Sequence, residues 1–158
     1  TGTNILSYLE EHPEFTVFFA SGPRITLLDP KLLERVFALH PILHLNQQEI
    51  TSYTGKEELK AAAEEIYRFT QNTVIVTLGA DGCYYYDGEK EETIPGVPAE
   101  QLDTIGAGDS HIGAVIAGLQ CGKTIEEAIA TANRVSAKVV ETEGALLSDE
   151  AFASLDLL

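Results

Sequence analysis

Residues 103–114 read DTIGAGDSHIGA. Gly106, Ala107 and Gly108 carry little or no side chain, a carboxylate follows at Asp109, and an apolar run follows that. The run IGAVIAGLQCG predicts a helix ending at Gly122 as its C-cap. Gly106, Ala107 and Gly108 then form its N-terminal turn, where backbone N–H groups are unpaired and the helix dipole is positive. Bare backbone there lets an anion come close. One reading is a tight turn with Asp109 as N-cap. The other gives Asp109 a chemical task. A carboxylate beside an anion site repels the anion, and it belongs there if it accepts the proton of a hydroxyl attacking a bound phosphoryl group.

The rest of the chain alternates strand and helix patterns. FTVFFA (15–20), ILHL (42–45) and TVIVTLG (73–79) are continuous apolar runs, as in strands buried on both faces. NILSYLEEH predicts a short helix. DPKLLERVFAL predicts another, with Asp29 as N-cap and Pro30 at the first helical position. TGKEELKAAAEEIYRF carries Thr54 and Glu57 as a capping box, and TIEEAIATANRVSAKVVE carries Thr124 and Glu127. CYYYDG and KEETIP predict a hairpin around Asp87-Gly88. The order predicts an α/β fold: one domain over 1–158, a Rossmann-like, mostly parallel sheet with helices on both faces. Ligands of such sheets bind beyond the carboxyl ends of the strands.

Two further stretches follow strands directly. In LNQQE, Asn46 and Glu49 lie three apart and share a side if a helix begins there. An amide and a carboxylate suit a hard cation held through water, and they equally suit a capping box. In TLGADG, Thr77, Gly79 and Gly82 suit either a nucleotide loop or a plain turn into a hairpin. His12, His40, His44 and His111 are scattered without metal spacing. The formal net charge of −15 argues against nucleic acid or an anionic membrane as partner. It leaves room for phosphate bound by backbone N–H groups. No apolar run approaches the ~20 residues of a membrane span, and TGTNILSYLE has no signal-peptide pattern. Cys83 and Cys121 form no disulfide framework, so a reducing cytoplasm is expected.

Taken together, DTIGAGDSHIGAVIAGL (103–119) closely resembles the C-terminal signature of the ribokinase-like (PfkB) carbohydrate kinases. That signature is Asp-Thr, a free position, Gly-Ala-Gly-Asp, then small residues leading into an apolar helix. VPAEQLDT resembles the strand into that signature, LNQQE the family's Asn-x-x-Glu motif, and TLGADG its nucleotide loop. ANRVSAKVVETEGA resembles its closing helix and loop near the adenine, and order and spacing agree from about Phe15 onward.

The resemblance implies an ATP-dependent kinase acting on a sugar or nucleoside. Asp109 would be the catalytic base, and the amides of Gly106, Ala107 and Gly108 the anion hole. Asn46 and Glu49 would help hold Mg²⁺, largely through water. Thr77, Gly79 and Gly82 would line the nucleotide site, with Asn133 facing the adenine. K⁺ would sit behind the anion hole, near Asp103, Ile105 and residues 144–148, and Arg24 would touch phosphate. His111 stands where relatives usually carry Phe, which implies a different wall near the acceptor. Family chains run to about twice this length, so these residues are expected to be the C-terminal, nucleotide-binding half, inactive alone. Dimerisation would go through lid strands not found in these residues. Two other readings are a non-catalytic nucleotide-binding or regulatory half-domain, and a hydroxymethylpyrimidine-type kinase on the same fold.

Overall fold

Leu43, Leu45, Val74, Ile75 and Val76 are all buried, as continuous apolar runs require of strands inside a sheet. In the computed structural model, which describes residues 2–155, they lie on β2 (Ile42–Asn46) and β3 (Val74–Thr77). The two strands pair in parallel, Leu43 opposite Val74 and Asn46 opposite Thr77. The sequence reading at residue 1 and at 156–158 lies outside the described residues. β1 (Phe18–Phe19) pairs in parallel with β2, and β4 (Gly82–Tyr86) and β5 (Glu91–Pro95) form the expected hairpin. The sheet runs β1-β2-β3-β4-β5 and is mostly parallel, as predicted. FTVFFA is a shorter strand than expected. Only Phe18 and Phe19 join the ladder, both half-buried, and Phe15 is exposed. Among the described residues β1 is an edge strand paired only with β2, which leaves it half-buried.

The chain divides into two compact units. The first runs to Thr77 and includes Tyr84–Glu92; the second holds Leu78–Cys83 and the chain from Thr93 onward. The first unit carries α1 (Gly2–Glu11), α2 (Pro30–Phe37), α3 (Gln47–Thr54) and α4 (Leu59–Thr70). Asp29 caps α2 as predicted, accepting from Lys31 N–H at 2.8 Å. The proposed Thr54–Glu57 capping box is not formed. Thr54 closes α3, Gly55 at φ +68 stops it in the left-handed conformation, and Glu58 caps α4 by accepting from Ala61 N–H. The glycine therefore splits what reads as one helical start.

The second unit carries α5 (Ala107–Gln120), α6 (Ile125–Val140) and a short α7 (Asp149–Ala153) that the pattern did not predict. The Thr124–Glu127 capping box opens α6 as expected. α5 ends one residue earlier than predicted: Cys121 is the C-cap, and Gly122 follows at φ +80. VPAEQLDT is loop rather than strand. Pro98 has no N–H for a ladder, and the N–H groups of Leu102 and Asp103 go to Val140 O instead.

α5 and α6 approach closely at Gly118, where an added Cβ would sit 2.9 Å from the Cβ of Ala128. Gly118→Val is therefore expected to cost about 1–3 kcal/mol through overpacking. Urea unfolding monitored by circular dichroism reads that loss; an unchanged midpoint would mean the helices part without cost.

Candidate functional site

The start of α5 is built from a bent loop rather than from a side-chain cap. Gly106 is the N-cap at φ +81, with no side chain to accept a helix N–H. An added Cβ there would lie 2.5 Å from Ala145 Cβ. Both the backbone conformation and the neighbour therefore demand glycine. Asp103 fixes the loop from the other side: Oδ1 accepts from Ile105 N–H at 3.0 Å and Oδ2 from Gly144 N–H at 3.1 Å. Those amides, Ile105 first and then Gly144, hold the Asp103 carboxyl below its ordinary value. The two segments expected to flank K⁺ are thus brought together within this unit. The clasp from Asp103 to Gly144 spans 41 residues. Neither motif spacing nor periodicity reveals it.

Gly108 differs from Gly106. It is exposed, and an added Cβ would meet nothing within 4 Å. Packing against other elements does not require a glycine there. Asp109, also exposed, sits in the first turn of α5. It makes no cap hydrogen bond, so the reading of Asp109 as N-cap does not hold. Among the described residues its carboxylate has no hydrogen-bond or ion-pair partner. Of the amides expected to form the anion hole, Ala107 N–H donates to Thr104 O at 3.2 Å. Among the described residues, the N–H groups of Gly106, Gly108 and Asp109 have no such partner.

The TLGADG stretch forms a 3₁₀ turn (Gly79–Asp81) between β3 and β4. Thr77, half-buried at the end of β3, belongs to the first unit, and Gly79 and Gly82 belong to the second. Gly79 is exposed at φ +62 with open space around it. Gly82 is buried, and an added Cβ would collide with Ile94 O and Gly96 N. Of the two, Gly79 leaves its backbone open, whereas Gly82 admits the end of β5.

Asn46 and Glu49 lie in the first unit and form a full capping box. Asn46 Oδ1 accepts from Glu49 N–H at 2.8 Å, and Glu49 Oε2 accepts from Asn46 N–H at 2.9 Å. One carboxylate oxygen, Glu49 Oε1, remains without a hydrogen bond. It faces the turn at Gly22, 3.9 Å from where a Cβ would stand. Arg24 is exposed on that same turn.

Asn133, expected to face the adenine, is buried and fully engaged. Its Nδ2 donates to Ile94 O at 3.1 Å and Pro95 O at 3.0 Å, and its Oδ1 lies 3.0 Å from His111 Nε2. His111, expected in a wall near the acceptor, is buried inside the second unit. Motif resemblance singles out both residues, but nothing in the sequence shows that they bond to each other. Burial pushes the His111 imidazole below its ordinary 6.5, against the opposing pull of Asn133. The unfolded chain therefore takes up the proton first, and His111 favours folding above that value. The unfolding midpoint is expected to fall as pH drops below 6.5. His111→Phe should flatten that part of a pH series of thermal melts.

A mostly apolar hollow of about 800 Å³ lies along α5 and α6, lined by Ala117, Val135, Leu146 and Phe152 among others. Its lining does not include Gly108 or Asp109. Among the described residues, no group of three or more His, Cys, Asp and Glu is placed to hold a metal. Nor is any helix among them long and apolar enough to cross a membrane.

The pattern of the pfkB family carbohydrate kinases matches residues 21–151. An uncharacterised sugar kinase of Escherichia coli strain K12 is 35% identical over 147 residues, which cover 90% of this chain and 46% of the relative. The ribokinase of Thermotoga maritima shares the fold, with a TM-score of 0.79 at 24% identity over 94% of this chain and 51% of its own. Aminoimidazole riboside kinase from Salmonella enterica, solved with aminoimidazole riboside and an ATP analogue, aligns with a TM-score of 0.69 at 27% identity. That match covers 80% of this chain and 46% of the kinase. The chain thus spans about half the length of these relatives.

Proposed function

Since the chain belongs to the pfkB family of carbohydrate kinases, we propose that it is the C-terminal, nucleotide-binding half of an enzyme that phosphorylates a hydroxyl of a sugar or nucleoside from ATP. The observation that carries this reading is the pairing of Gly108, open to solvent and free of packing demands, with the unpartnered carboxylate of Asp109 on the next residue. Helix-start amides meet a phosphoryl group with partial positive charge. The N–H groups of Gly106 and Gly108, joined by that of Asp109, serve as the anion hole. Ala107 joins them only by giving up its bond to Thr104 O. Asp109 accepts the proton from the attacking hydroxyl. An ordinary carboxylate suffices, because the hydroxyl becomes acidic only as its oxygen bonds to phosphorus.

The residues present fit the groups this chemistry needs. Exposed backbone at Gly79 and Gly108 suits a nucleotide and its phosphates. Glu49 Oε1 is the oxygen left for Mg²⁺, an ion that keeps several waters and needs few protein ligands. Mg²⁺ would screen charge on the phosphates. K⁺, where used, would rest on the loop segments at 103–105 and 144–148, drawing on backbone carbonyls because both Asp103 oxygens already accept amides. Cys83 and Cys121 form no disulfide among the described residues, which suits a reducing compartment such as the cytoplasm.

The test is Mg·ATP-dependent ADP release by the complete natural protein with ribose, fructose, other hexoses, sugar acids, nucleosides and hydroxymethylpyrimidine. Release that depends on one acceptor supports the reading and identifies the substrate. Nucleotide binding with no release for any acceptor would favour a non-catalytic, regulatory role.

A further inference from the structure

We propose that the buried pair His111–Asn133 is a positioning device that ties the anion-binding start of α5 to the glycine turn after β3. The proposal rests on the kinase reading only for its kinetic consequence. The connection is continuous within the second unit. His111 lies two residues after Asp109, on the second turn of α5. Its Nε2 meets Asn133 Oδ1 on α6 at 3.0 Å. Asn133 Nδ2 holds the carbonyls of both Ile94 and Pro95 at the end of β5. That strand end lies hard against Gly82, whose missing side chain makes room for Ile94 O, and Gly96 N–H donates to Asp81 O at 3.3 Å. A displacement at either end is therefore passed on to the other.

The hydrogen-bond inventory fixes the direction of each bond. The two hydrogens of Asn133 Nδ2 go to carbonyls, so Oδ1 must be the atom facing His111. An amide oxygen only accepts, so His111 must carry its hydrogen on Nε2. The pair is 2% and 5% exposed, so bulk solvent does not reach it. Removing the donor strands a buried acceptor, and relaxation of Asn133 frees β5 from α6.

Two variants separate positioning from bulk. His111→Phe keeps a ring of similar size and removes the N–H. His111→Gln keeps a donor at nearly the same reach. In the complete natural protein, His111→Phe is expected to lower kcat roughly tenfold, with the KM for Mg·ATP within about threefold. His111→Gln should recover most of that loss. A second readout needs no acceptor: hydrogen–deuterium exchange of peptides covering 79–96 and 104–112. His111→Phe should speed exchange in both segments together, and His111→Gln in neither. Wild-type kcat in His111→Phe, equal losses in both variants, or faster exchange in one segment alone would overturn the proposal. If the unmutated protein releases no ADP with any acceptor, the kinase reading fails, and the exchange experiment still decides the pair.

Discussion

Replacing Asp109 by asparagine is expected to cut turnover by roughly 10²–10⁴ while Mg·ATP affinity stays within a few-fold. Asn has nearly the same shape, cannot take a proton, and carries no charge to repel phosphate. The split is the diagnostic part. A residue that merely capped α5 would lower stability when changed, but Asp109 accepts no cap hydrogen bond and is exposed. The thermal midpoint of Asp109→Asn should therefore stay near that of the parent. Steady-state kinetics beside a nucleotide titration and a melt makes the comparison. An unchanged turnover number would remove Asp109 from the role of base.

The second large effect is expected at Gly108. A valine Cβ there meets no atom of any other element within 4 Å, so folding should be nearly undisturbed. The same side chain would stand over the open amides and hold a phosphoryl group away from them. Loss of one such donor elsewhere costs about 10²–10³ in turnover, and Gly108→Val should fall in that range. Gly106→Val makes the contrast. Its backbone at φ +81 and the Ala145 neighbour predict a protein that loses stability first. Melts and kinetics on both variants test the division. Wild-type kinetics in Gly108→Val would count against the anion hole.

Much of this was legible in the residues, for physical reasons that also mark where legibility stops. Runs such as ILHL and TVIVTLG predict β2 and β3 because a strand buried on both faces has no polar face to show. Caps are legible where the bonding is local: Asp29, Asn46 with Glu49, and Thr124 with Glu127 all bond within three residues. Thr54 misled because Gly55, its neighbour, was already the stop of the preceding helix. FTVFFA misled because composition does not say whether a strand has one partner or two. In the candidate site, the glycine-rich start of α5 is legible as a motif, but the distinct reasons for its glycines are not. Gly106 answers to Ala145, 39 positions later, and Gly108 to no atom of another element. Asn133 showed the same limit. Its place in a motif is visible, but its three partners on β5 and α5 are matters of tertiary contact.

The clasp between Asp103 and Gly144, with Ala145 set against Gly106, also has a consequence for biosynthesis. A chain leaves the ribosome amino end first. The GAGD turn therefore emerges well before the residues that hold it in shape. Until α6 and the turn after it are made, Asp103 has its local bond to Ile105 N–H but neither Gly144 to clasp nor Ala145 to confine Gly106. A nascent chain stalled short of residue 144 would thus carry the whole signature motif and still lack the contacts that shape its turn.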